Sequence, residues 1–215
     1  SAYLDDYAFL IDGVLELLQC RWRDGDLDFA LALADALLEW FEDRETGGFY
    51  FTAADHERLI QRPKPAHDDA LPAGNGVAAQ VLSKLGHLTG RTAYLDAAGR
   101  TLRWAWPTIE RIPAACNAML TALEEYLEPG QTVVLRGETM ALEEWRDRCA
   151  KPYAPRRLTL AIPDTVALPA GLLAERRTDA MPVTAYVCNG LECLPPITAS
   201  SNLELHLIGT EVSAS

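Results

Sequence analysis

LLQCRWRDGDLDFALALADAL (residues 17–37) and LSKLGHLTGRTAYLDAAGRTL (residues 82–102) lie 65 positions apart and match at spaced sites. Leu17 falls on Leu82, Gly25 on Gly90, Phe29 on Tyr94, Ala32 on Ala97 and Leu37 on Leu102. Each stretch reads as the end of one helix, a tight glycine-containing turn and a returning helix. Hairpins of this kind bury their faces only against neighbouring hairpins, in an open solenoid or a closed ring. A long loop, residues 44–71, follows the second helix and sets the period. Helical hairpins with long loops at one rim suit an α/α toroid better than a solenoid.

The flanking sequence extends this pattern. From Leu4 to Gln19, Phe9, Leu10, Val14, Leu17 and Leu18 recur at helical spacing, with Asp5 and Asp6 in the first turn, where the helix dipole favours negative charge. The run LDFALALADALLEWF (27–41) is apolar on nearly every side, which predicts a helix buried between neighbours. GGFYFT (47–52) alternates like a strand and predicts a short hairpin. Further helices are predicted from Pro72 to Leu88, from Ala93 to Trp106 with Pro107 ending it, and from Ile112 to Leu127. Pro129-Gly130 marks a boundary.

Beyond it the pattern changes. Thr132–Leu135 and Arg157–Ile162 read as strands on either side of a helix from Glu138 to Ala150, a βαβ unit with parallel pairing. A third strand is expected at Thr184–Cys188, and the tail from Ser200 is weakly patterned and expected to be poorly ordered. The fold class is therefore mainly α with a C-terminal α/β part. Residues 1–129 form the helical hairpins of a partial toroid, 130–199 a small βαβ-containing domain and 200–215 a tail.

Composition narrows the partners. The chain has 215 residues and a net charge of −12, which repels phosphate backbones and anionic lipid; neither nucleic acid nor membrane is expected. Nothing approaches the ~20 consecutive apolar residues of a membrane span, and the N-terminus lacks the basic and apolar regions of a secretory signal. Its abrupt start suggests a piece of something longer. Five cysteines are too sparse for a disulfide scaffold, and a reducing, cytoplasmic location is expected.

LDDYAFLIDGVLELL, GGFYFTAADHERLIQRPK, DDALPAGNGVAAQVL and TAYVCNGLEC, in that order, resemble the closing portion of the YyaL / spermatogenesis-associated thioredoxin-domain protein family. The resemblance runs to about Thr198. It implies the end of a six-hairpin toroid similar to N-acylglucosamine 2-epimerases and six-hairpin glycosidases, then a small α/β segment. It also implies a thioredoxin-like domain upstream in the parent protein. This chain has no C-x-x-C of its own, so no dithiol centre of that kind is expected in it. Cys188 and Cys193 match two cysteines of the family pattern. Such a pair could sit as reduced thiols in a hairpin, form a disulfide, or share a metal with His206 as a third ligand, although a structural zinc site would want a second pair.

In toroids of this class the substrate sits in a central funnel, reached by rim loops and the starts of inner helices. Three stretches qualify: Asp5-Asp6-Tyr7, the aromatic run Phe49-Tyr50-Phe51, and Arg62 through Asn75. The family pattern there resembles R-x-K, D-G-A and P-S-G-N. Arg62, Lys64, Asp68, Ala70, Pro72, Gly74 and Asn75 match it, whereas Asp69 replaces glycine and Ala73 replaces serine. Paired carboxylates with split pKa values serve proton transfer at an anomeric carbon. Asp6 and Asp68 are the catalytic candidates, with Asp5, Tyr7, Tyr50, Arg62, Lys64, His67 and Asn75 as ligand-binding candidates. Each also has a structural reading: first-turn carboxylates, a capping asparagine, core aromatics. No cofactor is implied, and the turn Leu135-Arg136-Gly137-Glu138-Thr139 lacks the glycines of a dinucleotide site.

Two functions follow. One is a sugar-binding toroid with epimerase- or glycosidase-like chemistry; the other is a non-catalytic ligand- or partner-binding module of a larger thioredoxin-like protein. A partial ring exposes apolar faces, so self-association of an autonomous chain is also expected.

Overall fold

The computed structural model describes residues 2–57, 60–169, 172–176 and 181–208. The chain divides into two compact units, Ser1–Glu16 with Gly25–Glu128 and Leu17–Asp24 with Pro129–Ser215.

The first unit is helical: α1 (Leu4–Cys20, its last turn in the second unit), α2 (Asp26–Ala36), α3 (Gly74–Thr89), α4 (Thr92–Arg111) and α5 (Asn117–Leu127). Gly25 before α2 and Gly90 after α3 both take left-handed backbone, φ 85° and 75°, which a residue with a Cβ resists. Asp5 of α1 lies against Gly74 of α3, and Asp12 pairs with Lys84 at 3.5 Å further along. Those two helices therefore run the same way. So does α5: its start, Ala118 and Met119, meets Gly76, while its end, Tyr126, meets Gly99 of the returning α4. The N-termini of α1, α3 and α5 thus face one end of the unit.

Helix α2 is buried on one side only, through Leu27, Ala30, Leu31 and Ala34. The expectation of burial all round over residues 27–41 fails because the outer residues have no neighbouring hairpin in this unit: Phe29 of α2 is 47% exposed, and Trp40, in the turn that follows, 41%. The repeat mate of Phe29 behaves differently. Tyr94 is 1% exposed, with its hydroxyl donating to Asp35 of α2 at 2.5 Å.

Three local expectations change. Residues 47–52 form no strand pair, only a single bridge between Glu42 and Phe49, because the Asp43 side chain organises the turn instead. Helix α4 continues through Pro107 to Arg111. The helix bond that Pro107 cannot make is on an exposed side, beside exposed Arg103 and Trp106, while buried Ile109 anchors the last turn. The helix expected from Ile112 begins only at Asn117, since Pro113 opens a short 3₁₀ turn, Pro113–Ala115. Helix α2 itself passes into a π-helical turn, Leu37–Phe41, closed by the Glu42 N–H donating to the Leu37 carbonyl.

The second unit holds a four-stranded sheet of β1 (Gln131–Gly137), β2 (Leu158–Pro163), β3 (Val183–Asn189) and β4 (Glu192–Cys193), in the order β2-β1-β3-β4. Strands β1 and β2 are parallel and joined by α6 (Thr139–Ala150), the predicted βαβ unit; β3 is antiparallel to β1 and forms a hairpin with β4. Alternation along the strands sends Val133, Leu135, Val183, Ala185 and Val187 into one cluster with Leu142 and Cys149 of α6. Leu203 and Leu207 complete it from α7 (Ser200–Ile208), a helix where a weakly ordered tail was expected; apolar burial overrides the weak local pattern. Residues 209–215 lie outside the described residues. Among the described residues no helix is long and apolar enough to cross a membrane.

Candidate ligand-binding rim

Asp43, which the sequence reading passed over, organises the loop after α2. Its Oδ1 accepts the N–H groups of Glu45 and Thr46 at 3.1 and 3.2 Å, an Asx turn followed by the tight glycine pair Gly47-Gly48. Its Oδ2 accepts the Thr46 hydroxyl at 2.7 Å, the Tyr50 hydroxyl at 3.0 Å and the Lys64 ammonium at 2.6 Å. Lys64 also donates to Thr46 Oγ1 and the Gly47 carbonyl, and lies over the Trp104 ring. The local signal was present in Asp43-Arg44-Glu45-Thr46-Gly47-Gly48, an acid followed by turn formers; the Lys64 partner, 21 residues on, was not legible.

The Lys64 ammonium, helped by Thr46 and Tyr50, holds the Asp43 carboxyl well below the usual carboxylate range, and the same carboxylate pushes the Tyr50 hydroxyl up. A carboxyl with a depressed folded value contributes stability that is complete above its unfolded value, about pH 4. That stability is lost as pH falls from there toward the folded value. Lys64→Met is expected to cost about 2 kcal/mol at pH 7 by stranding Asp43 and to flatten the loss of stability below pH 4. Urea denaturation at pH 7, 4 and 3 measures both effects.

Asn75 and Asp68 are also held by backbone. Asn75 is fully buried; its Oδ1 accepts the Phe49 N–H at 2.6 Å, and its Nδ2 donates to the Phe49 and Pro65 carbonyls at 2.9 and 3.0 Å. It clamps both arms of the loop onto the first turn of α3. Asp68 Oδ1 accepts the Ala73 N–H at 2.8 Å and Oδ2 the Ala118 N–H at 3.1 Å, so one carboxylate joins the starts of α3 and α5. The Arg62 guanidinium lies 4.2 Å over the Tyr50 ring while donating to the Thr52 carbonyl, so that face of the expected stacking surface is covered.

The start of α1 lies against this loop. The Leu4 N–H donates to the Phe51 carbonyl at 3.0 Å and the Tyr3 N–H to Asp6 Oδ2 at 2.8 Å. Tyr3, 42% exposed, stacks on Phe51 at 4.8 Å with His56 tilted beside it at 5.9 Å. Tyr7 turns inward onto Phe41. Asp5 lies so close to Gly74 that any Cβ there would collide with its Oδ1, an atom buried without a hydrogen bond; burial, with Asp6 adding, pushes the Asp5 carboxyl up.

The structure thus gathers Asp5 and Asp68 at the start of α3, and Tyr50, Arg62 and Lys64 around Asp43. It leaves His67 exposed on the loop. Tyr3 is an exposed aromatic beside this loop that the sequence did not single out. In the second unit, Cys188 and Cys193 face each other across the β3–β4 hairpin as a disulfide. Among the described residues no group of three His, Cys, Asp or Glu side chains could hold a metal ion.

No family model matches the chain. It is 30% identical over 205 residues, 91% of the chain, to spermatogenesis-associated protein 20 of Homo sapiens, and covers 26% of that protein. Its identity to the protein of the same name in Rattus norvegicus is 31% over 140 residues, 65% of the chain and 18% of the relative. An uncharacterized protein of Caenorhabditis elegans is 26% identical over 206 residues, and the chain covers 28% of it. The chain therefore spans between 18% and 28% of the length of the curated relatives it matches, and is similar along most of its own length to part of spermatogenesis-associated protein 20.

Proposed function

We propose that this chain is a non-catalytic, ligand-binding portion of a larger protein, with a thioredoxin-like domain upstream. Its ligand is a small polar molecule of the sugar class, held where α1, α3 and α5 begin. The observation that carries this reading is how the two carboxylates first suited to acid–base work are used. Asp68 spends both oxygens on backbone N–H groups of two helix starts, and Asp6 accepts from the N–H of Tyr3, the residue just before its own helix. What is left for a ligand is an exposed aromatic platform, Tyr3 on Phe51, with the Asp5 carboxyl and the second oxygen of Asp6 in the adjoining first turn of α1. That pairing suits a pyranose, which offers a C–H face to a ring and hydroxyls to acceptors.

The helical unit fits a partial α/α toroid of the six-hairpin kind. Its alternate helices run parallel, and Tyr94 is buried by a preceding hairpin while its mate Phe29 is exposed. Exposed Phe29 and Leu10 are the residues through which an isolated chain self-associates.

A second reading, epimerase- or glycosidase-like chemistry, is favoured by one observation, the buried, unpartnered Asp5 Oδ1 with its raised carboxyl, the environment of a general acid.

Calorimetry and thermal shift with a panel of mono- and disaccharides test both. Saturable binding without turnover, weakened about tenfold by Tyr3→Ala (the loss of one stacking contact, about 1.4 kcal/mol) at an unchanged melting temperature, is expected. Turnover abolished by Asp5→Asn would replace this reading with the catalytic one, and a panel with no binding would remove sugars.

A further inference from the structure

We propose that the Cys188–Cys193 disulfide is a thiol–disulfide exchange site, reduced by an external dithiol while the fold stays intact, with Arg176 holding the thiolate that is released. The pair joins directly opposed residues of β3 and β4. The enclosed turn is already closed by Gly190 in left-handed backbone and by the β3–β4 ladder. A cross-link over so short a loop removes less freedom from the unfolded chain than one over a long loop, so stapling the fold is the weaker account of it. The sheet it borders is held independently by the apolar cluster on its α6–α7 face.

The neighbour of the disulfide is informative. Arg176 Nη2 lies 2.8 Å from Cys193 Sγ and 3.6 Å from Cys188 Sγ, with its guanidinium 5.1 Å from the centre of the Tyr186 ring. A neutral disulfide gains little from a cation at that distance, whereas a thiolate gains a charge-assisted hydrogen bond. Whichever sulfur is expelled stays within reach of the same nitrogen. Cys193 is half-buried and Cys188 buried, so Cys193 is the more accessible residue of the two.

The exchange balances as follows. One thiolate of the dithiol attacks Cys193 Sγ; a mixed disulfide forms, the Cys188–Cys193 bond breaks and its electron pair leaves on Cys188 Sγ. The second thiolate of the dithiol then attacks its own sulfur in the mixed disulfide and releases Cys193 as a thiolate. The dithiol is oxidised to a disulfide by two electrons, the hairpin pair is reduced by the same two, and the two protons of the dithiol pass to solvent or to the new thiolates. The free cysteines differ: Cys116 and Cys149 are buried with thiols pushed up, Cys149 to about 11, and the exposed Cys20 lies elsewhere in the chain.

The test uses the whole chain carrying Cys20→Ser, equilibrated at pH 7 with graded ratios of reduced to oxidised dithiothreitol, alkylated and counted by mass spectrometry. The pair is expected to reduce with unchanged circular dichroism. Arg176→Met should shift the equilibrium about tenfold toward the disulfide, equivalent to ~30 mV for a two-electron couple, and Arg176→Lys should restore most of it. In the reduced protein, thiolate absorbance should appear at lower pH in the wild type than in Arg176→Met, which a purely structural arginine would not produce. A pair reducible only after unfolding, or an Arg176→Met variant that matches the wild type in both equilibrium and thiolate titration, would overturn the proposal.

Discussion

Replacing Asn75 with leucine should cost roughly 4 kcal/mol, enough to unfold much of the helical unit at moderate urea concentration. Leucine fills the same space, so the loss is polar. The Phe49 N–H, the Phe49 carbonyl and the Pro65 carbonyl would each lose their side-chain partner in a buried setting, at about 1–3 kcal/mol per stranded group. Asn75→Asp is the sharper companion. It keeps an acceptor for the Phe49 N–H but turns two donor contacts into oxygen facing oxygen, and should lose a similar amount. Chemical denaturation followed by tryptophan fluorescence measures both. A cost below about 1 kcal/mol for Asn75→Leu would mean that the loop is not held by this clamp.

The second large effect is expected in the α/β unit. Arg157 is buried, and its guanidinium donates to Gln131 Oε1 at 2.9 Å, the Cys149 carbonyl at 3.1 Å and the Leu207 carbonyl at 2.7 Å. Those two carbonyls lie at the ends of α6 and α7, where the helix dipoles concentrate negative partial charge. Burial pulls the guanidinium down from its ordinary value, yet one planar cation still closes two helix ends and fixes them to β1. Arg157→Met should cost about 3–5 kcal/mol, and Arg157→Lys should recover only a minor part, since one ammonium cannot span three acceptors. Because the chain has two units, the loss should appear in one transition only. Amide exchange read separately for α7 and α3 checks this: α7 should exchange orders of magnitude faster while α3 is unchanged.

The sequence was most legible where structure is local and periodic. The stripe Phe9, Leu10, Val14, Leu17 and Leu18 marked α1, and the βαβ unit emerged from two apolar runs flanking a helix with its pairing as expected. The glycine turns of the repeat were found because left-handed backbone leaves a mark in composition. What failed was non-local. Phe29 and Tyr94 are equivalent in pattern, and only the presence of a neighbouring hairpin decides that one is exposed and the other buried. Helix α7 was missed because its stabilisation comes from Leu203 and Leu207 entering a core built by strands far away in sequence.

The candidate site divides in the same way. The residue types around residues 62–75 were recognisable, yet their roles depended on partners many residues away. That Asp68 bridges two helix starts shows only once Ala73 and Ala118 are placed. Asp43 has no resemblance to draw attention to it, although it anchors the whole loop. Cys188 and Cys193 could be reduced, bonded or metal-bound by spacing alone; the register of β3 against β4 brings the two sulfurs together.

Binding of a sugar-class ligand, without chemistry, where α1, α3 and α5 begin is open to amide chemical-shift mapping. The labelled chain is titrated with whichever saccharide of the panel saturates, and the sugar is recovered afterwards. Perturbations are expected to concentrate at Tyr3, Asp5, Asp6, Phe51 and His56, with the sugar unchanged. Perturbations confined to the α/β unit, or a sugar returned epimerised or cleaved, would contradict that expectation.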